Sequence, residues 1–287
     1  MNQVDQIQKY WTEQLDLYRD DHVPNWISDK KQIHEKRGNK VPRMTGKGKI
    51  LRTYEEDNNE VKLDYNLAVT FFIKQGDTYY HEEEEKVHRA TFYKGTLVED
   101  KEIKVKEDDY LPRIQPFGED ETTREERFEY DRRAAVQYAE RWWDDYNPDF
   151  KKFDVDCTNY ISQCLYAGGA PMRGAPNRSE GWWFQNDNWS YSWSVAHSFR
   201  WYLSGSNSGL KGKELEDPSE LLPGDVICYD FEGDGKWNHT TIVVEKDKDG
   251  MPLVNAHTNN SRHRYWSYED SYAWTEDCNY KFFRIGE

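Results

Sequence analysis

Several large functional classes are excluded by what this chain has little of. Its 287 residues hold four cysteines, Cys157, Cys164, Cys228 and Cys278, too few and too scattered for a disulfide framework. No two of them form the C-x-x-C pair that suits zinc, so free thiols are expected. No apolar run approaches membrane-spanning length, and the N-terminus lacks the basic-then-apolar pattern of a leader. The expectation is a soluble protein without integral membrane association, cytoplasmic as given or secreted if a leader has been removed. Positive charge is also short: 39 Lys and Arg face 54 Asp and Glu, a net charge of -15. Nucleic acid and anionic membrane surfaces need a basic footprint, so neither is an expected partner.

Mean hydropathy is only -1.10, and 32% of the residues are charged, a balance that alone describes disordered chains. The 12 Trp, 20 Tyr and 12 Phe argue the reverse, since disordered chains lack aromatics. The chain is therefore folded, and it is long enough for two modest domains.

An N-terminal domain is expected over residues 1–120. Ile7, Tyr10, Trp11, Gln14, Leu15 and Tyr18 form a helical stripe, broken near Pro24 and followed by a shorter segment through Trp26, Ile27 and Ile33. Alternating strands follow at 49–54, 61–65, 68–73 and 87–92, with turns at Asp57-Asn58-Asn59 and Gln75-Gly76-Asp77. The helix-then-sheet order is similar to cystatin-like and nuclear-transport-factor-like modules. The run Glu82–Glu85 is expected to be a solvated strand edge. A charged connector, Pro112 to Glu126, marks the boundary.

The second domain, 121–287, reads as helices followed by a barrel-like antiparallel sheet, an α+β arrangement. Phe128 to Trp143 is a helix ended by Pro148, and a second helix runs from about Trp193 to Leu203 with Ser192 as its cap. Strands are expected at 225–230, 239–244, 253–257 and 280–285, the middle pair joined by a turn at Asp247-Lys248-Asp249-Gly250. Trp182, Trp183, Trp189 and Trp193 suit either a stacking cleft or a core.

The stretch Asp156-Cys157-Thr158-Asn159-Tyr160-Ile161-Ser162-Gln163-Cys164-Leu165 carries the chemistry. Aspartates precede an apolar helical spacing that Gly168-Gly169 ends, so Cys157 falls at a helix N-terminus, where the dipole favours thiolate. The aspartates oppose that effect, so a basic partner is required. His239 opens a strand, and the hairpin returns Asn255 or His257 beside it: His257 pairs with His239 by register, and Asn255 shares its face. Nucleophile, base and orienter are the parts that thiol acyl transfer needs.

The segments Tyr130–Ala139, Asp156–Gln163 with Ala167-Gly168-Gly169, Leu222–Val226, His239–Val244 and Ala256-His257-Thr258 resemble a bacterial amidase-domain family. That family has the papain-like cysteine hydrolase fold and is related to NlpC-type and CHAP peptidoglycan hydrolases. The resemblance covers residues 128–287 and leaves the first 120 without a counterpart. It implies Cys157 as nucleophile, His239 as general base and His257 as the residue fixing the imidazole, with Asn255 as the papain-like alternative. No cofactor or metal is implied, and the partner is a peptide or peptidoglycan-like substrate. No glutamine stands upstream as an oxyanion donor, and Asn147 is a weak substitute, so backbone N–H groups at Cys157 are expected to serve, with Asn159 and Gln163 as buried hydrogen-bonding residues. Alternatives from other classes are an inactive papain-like module that binds glycan or peptide, and a transferase or deamidase using the same Cys-His pair.

Overall fold

The structure, a computed structural model, describes residues 2–17, 26–56, 59–105, 112 and 128–286. The chain is α+β and divides into two compact units, Met1–Val105 with Glu269–Tyr272, and Lys106–Tyr268 with Ala273–Glu287. The expected boundary, the connector from 113 to 126, Tyr18 and Pro24 lie outside the described residues. No helix among the described residues is long and apolar enough to cross a membrane.

In the first unit, helices α1 (Gln3–Leu17) and α2 (Trp26–Lys36) precede an antiparallel meander of β1 (Lys40–Glu56), β2 (Glu60–Gln75), β3 (Thr78–Tyr93) and β4 (Thr96–Glu102). Alternation on β2 sends Leu63, Tyr65, Leu67, Val69, Phe71 and Ile73 into one core, where Ile7 and Trp11 of α1 and Ile27 of α2 cover them. The glutamate run is not a solvated edge. β3 pairs with β2 along its length, so every second glutamate turns inward, and Glu82 and Glu84 are buried. Buried Lys30 bonds Glu82, Glu84 and Asp270, and His34 Nε2 lies 3.0 Å from Glu82. Burial pushes the Glu82 carboxyl up, but Lys30 and His34 outweigh it and hold its pKa below the ordinary value.

The second unit runs α3 (Arg132–Trp142), α4 (Cys157–Ala167), a two-strand hairpin β5 (Phe184–Gln185) and β6 (Asn188–Trp189), then α5 (Tyr191–Ser194) and α6 (Ala196–Gly205). Strands β7 (Gly212–Leu215), β8 (Val226–Asp230), β9 (His239–Lys246), β10 (Pro252–Ala256), β11 (Ser261–Tyr265) and β12 (Asn279–Ile285) follow. They lie in the order β11-β10-β9-β8-β12-β7, an open antiparallel sheet and not a closed barrel. Strand alternation builds two cores. Val226, Cys228, Ile242 and Val244 face α3 and α4, whereas Ile227, Tyr229, Val243, Val254 and Ala256 form a second core with Phe231 and Tyr268.

Two helix expectations are corrected. α3 begins at Arg132 and not at Phe128, its start capped by Asp131, whose Oδ1 accepts from Ala134 N at 2.9 Å, and it ends at Trp142. The expected 193–203 helix is broken by extended Val195, and Ser192 caps nothing: its hydroxyl bonds the Gly181 carbonyl. The 247–250 turn is present, with Gly250 at φ +80 and its N–H donating to the Asp247 carbonyl at 3.0 Å.

Candidate active site

Cys157 is the first residue of α4 and is 2% exposed. Its Sγ lies 4.0 Å from the carbonyl oxygen of Asn238, the residue before His239, and 3.7 Å from Thr158 Oγ1. Thr158 meets Thr240 of β9 at 3.1 Å, fastening the start of the helix to the start of that strand. The N-cap residue Asp156 does not cap α4 with its own side chain. Its Oδ1 accepts from Phe153 N at 2.9 Å and Asn159 Nδ2 at 3.0 Å, and its Oδ2 meets His257.

The N–H groups of Asp156 and Cys157 instead converge on one oxygen, Thr258 Oγ1, at 3.1 and 3.2 Å. Consecutive amides aimed at a single oxygen form an anion-binding concavity of the kind that holds an oxyanion. Burial pushes the Cys164 and Cys228 thiols well up, and it pushes that of Cys278 to about 11.

His239 is 8% exposed, its ring packed among Tyr268 at 5.1 Å, Tyr229 at 5.6 Å and Phe231 at 5.9 Å. Its Nε2 is buried with no hydrogen-bond partner among the described residues. Burial, with a contribution from the Arg264 charge, pushes its pKa down to about 3, so the imidazole is neutral at pH 7.

His257 lies elsewhere. Its Nδ1 is 2.8 Å from Asp156 Oδ2, its Nε2 is 2.7 Å from the Trp142 carbonyl, and its ring stacks on Tyr160 at 3.9 Å. Both neighbours are acceptors, so the ring is held at both nitrogens between the helix start and the end of α3. Asn255 donates to Glu140 at 2.9 Å and accepts from His263 N at 2.9 Å. Neither residue bonds His239 among the described residues.

The reason is register. An irregularity between Leu253 and Val254 shifts the β9–β10 pairing by one residue, setting Asn255 opposite Ile242. A one-residue slip exchanges faces. His239 therefore packs with the second core, while His257 packs on Tyr160 of the helix-side core. The site thus joins Cys157 to Asp156, His257 and Thr258, and brings the His239 main chain, not its ring, next to the sulfur. Sequence reasoning found Ala256-His257-Thr258 as a motif but missed the link from Thr258 to the N–H groups, because a hydroxyl hydrogen bond has no periodic signature.

Asn159 and Gln163 are buried hydrogen-bonding residues, Asn159 to the Lys151 carbonyl at 2.9 Å and Gln163 from Tyr138 OH at 2.7 Å. Asn147 donates to Tyr138 OH at 2.9 Å. Trp182, Trp183 and Trp193 are core residues, and Trp189 is partly exposed with Lys151 and Arg178 each 4.9 Å from its ring. Among the described residues, the one acidic group spaced to hold a cation is Glu82, Glu84 and Asp270, whose ligand atoms lie within 4.8 Å of one another. The Lys30 ammonium already bonds all three.

A family model described as "Putative amidase domain" matches residues 129–283. The chain is 49% identical over 262 residues to "Uncharacterized protein YhbB" of Bacillus subtilis (strain 168), a match spanning 89% of this chain and 84% of that protein. The family model leaves residues 1–128 unmatched, as expected, while the match to that relative extends into the first unit. "Uncharacterized protein YjcM" of the same organism is 34% identical over 122 residues, spanning 39% of this chain and 27% of that protein. No solved structure matches the chain.

Proposed function

The chain belongs to the amidase-domain family, and from that premise we propose that it hydrolyses amide bonds through a thioester on Cys157. The observation that supports this most is the pair of N–H groups, on Asp156 and on Cys157 itself, aimed at one oxygen position at the start of α4. A cysteine that carries its own oxyanion donor is suited to attack a carbonyl.

In this reading the thiol proton passes to His239 once its neutral ring, whose Nε2 has no hydrogen-bond partner among the described residues, turns out of its aromatic packing towards the sulfur beside its own main chain. The sulfur attacks the amide carbon, the two amides take the oxyanion, the amine leaves with the proton, and water releases the acid. His257 is a positioning residue: its contacts with Asp156 and the Trp142 carbonyl hold the helix start against the end of β10. The substrate class in this reading is a peptide or a peptidoglycan-like peptide, handled without a cofactor.

Incubation with a peptide library and with peptidoglycan fragments, read by mass, tests the proposal. The wild type releases new amine and acid termini, and Cys157→Ala, with an unchanged melting temperature, releases none. Full activity in that variant contradicts the assignment.

A further inference from the structure

We propose that the Thr258 hydroxyl is the resting occupant of the oxyanion position and withdraws before an acyl group reaches Cys157, which makes Thr258 a gate on the reaction. The inference rests on the hydrolase reading. In the structure no carbonyl oxygen has access to the Asp156 and Cys157 N–H groups while Thr258 Oγ1 accepts from both, at 3.1 and 3.2 Å.

The arrangement is not what capping alone requires. An N-cap carboxylate ordinarily accepts from the N–H groups of the second and third helical residues, so capping by Asp156 would leave its own N–H and that of Cys157 to another acceptor. Here that carboxylate serves Phe153, Asn159 and His257, and the donors are left to a residue 101 positions away from Cys157. Thr258 also keeps an unfavourable backbone, with φ at +83, a region that β-branched residues rarely adopt. Such a conformation persists only where its surroundings hold it. His257, next to it, is pinned by Asp156, the Trp142 carbonyl and the Tyr160 ring. Thr258 itself is only half-buried, in the short turn between β10 and β11. Relaxing φ to the ordinary negative region would move the hydroxyl off the two amides.

Two small reagents separate this gate from a structural cap. Acetylation of Cys157 by p-nitrophenyl acetate forms an S–C bond, pushes the carbonyl electron pair onto oxygen as an oxyanion and then expels p-nitrophenolate, the thiol proton passing to the base. Alkylation by iodoacetamide displaces iodide at a saturated carbon and forms no oxyanion. The ratio of the two rates therefore reads the oxyanion position alone. Thr258→Gly removes the hydroxyl and accepts the positive φ, and Thr258→Ala is the second variant.

In both variants the acetylation-to-alkylation ratio rises by about five- to tenfold, the factor expected when an ordinary hydrogen bond no longer has to be displaced. Thr258→Ser keeps the wild-type ratio. An unchanged ratio in Thr258→Gly overturns the gate and makes Thr258 a cap; a lowered ratio overturns it by making the hydroxyl a donor to the oxyanion. Failure of iodoacetamide to modify Cys157 in the wild type defeats the hydrolase reading itself, and the gate with it.

Discussion

His257 and Asp156 meet at the foot of the cysteine helix, Nδ1 to Oδ2 at 2.8 Å, one residue before Cys157. The contact places an imidazole on the carboxylate that immediately precedes the thiol. It stands beside the helix start and not beside His239.

Removing the imidazole should therefore slow the thiol. In His257→Gln the Asp156 carboxylate loses its imidazole partner beside Cys157, which favours the protonated thiol. Iodoacetamide modification of Cys157 at neutral pH should fall by about tenfold, the effect of a one-unit rise in thiol pKa. Adding Asp156→Asn should restore part of the rate. Overlapping pH–rate profiles for wild type and His257→Gln contradict the electrostatic role.

His239 should leave a mark on stability. Its pKa is about 3 in the folded chain against an ordinary 6.5, so between those values the unfolded chain binds the extra proton. Stability contributed by burying the neutral ring is thus present above pH 6.5 and is lost as the pH falls towards 3, with a slope of up to about 1.4 kcal/mol per pH unit. Urea denaturation across that range should show the slope in the wild type and a shallower one in His239→Gln. Equal slopes contradict the neutral buried imidazole.

The first unit offers an independent test. Lys30→Met leaves Glu82, Glu84 and Asp270 without the ammonium that bonds all of them, and breaking a buried ion pair from one side costs about 3–5 kcal/mol. A lowered unfolding midpoint is expected, partly recovered by Glu82→Gln in the same chain. A wild-type midpoint in Lys30→Met rules out the buried network.

How much of this was legible in the sequence depends on how local the cause is. The cysteine helix was, because its apolar spacing and the closing Gly168 are local, and so was the β9–β10 hairpin, because Asp247 to Gly250 is a strong turn. The partner of His239 was not. The irregularity between Leu253 and Val254 has no local signature, yet it moves His257 to the face opposite His239. The glutamate run was misread for the opposite reason: alternation was visible, but the lysine that makes burial of Glu82 and Glu84 tolerable is on a distant helix. Strands β7 and β11 are short and largely polar, and neither shows the apolar alternation that marks a strand.

Acid-quenched mass spectrometry of the protein during turnover of an amide substrate tests the central claim most directly. The account predicts an acyl group carried on Cys157 alone, absent from Cys157→Ala. Hydrolysis of the amide with no acyl group on any cysteine, or with the same rate in Cys157→Ala, contradicts it.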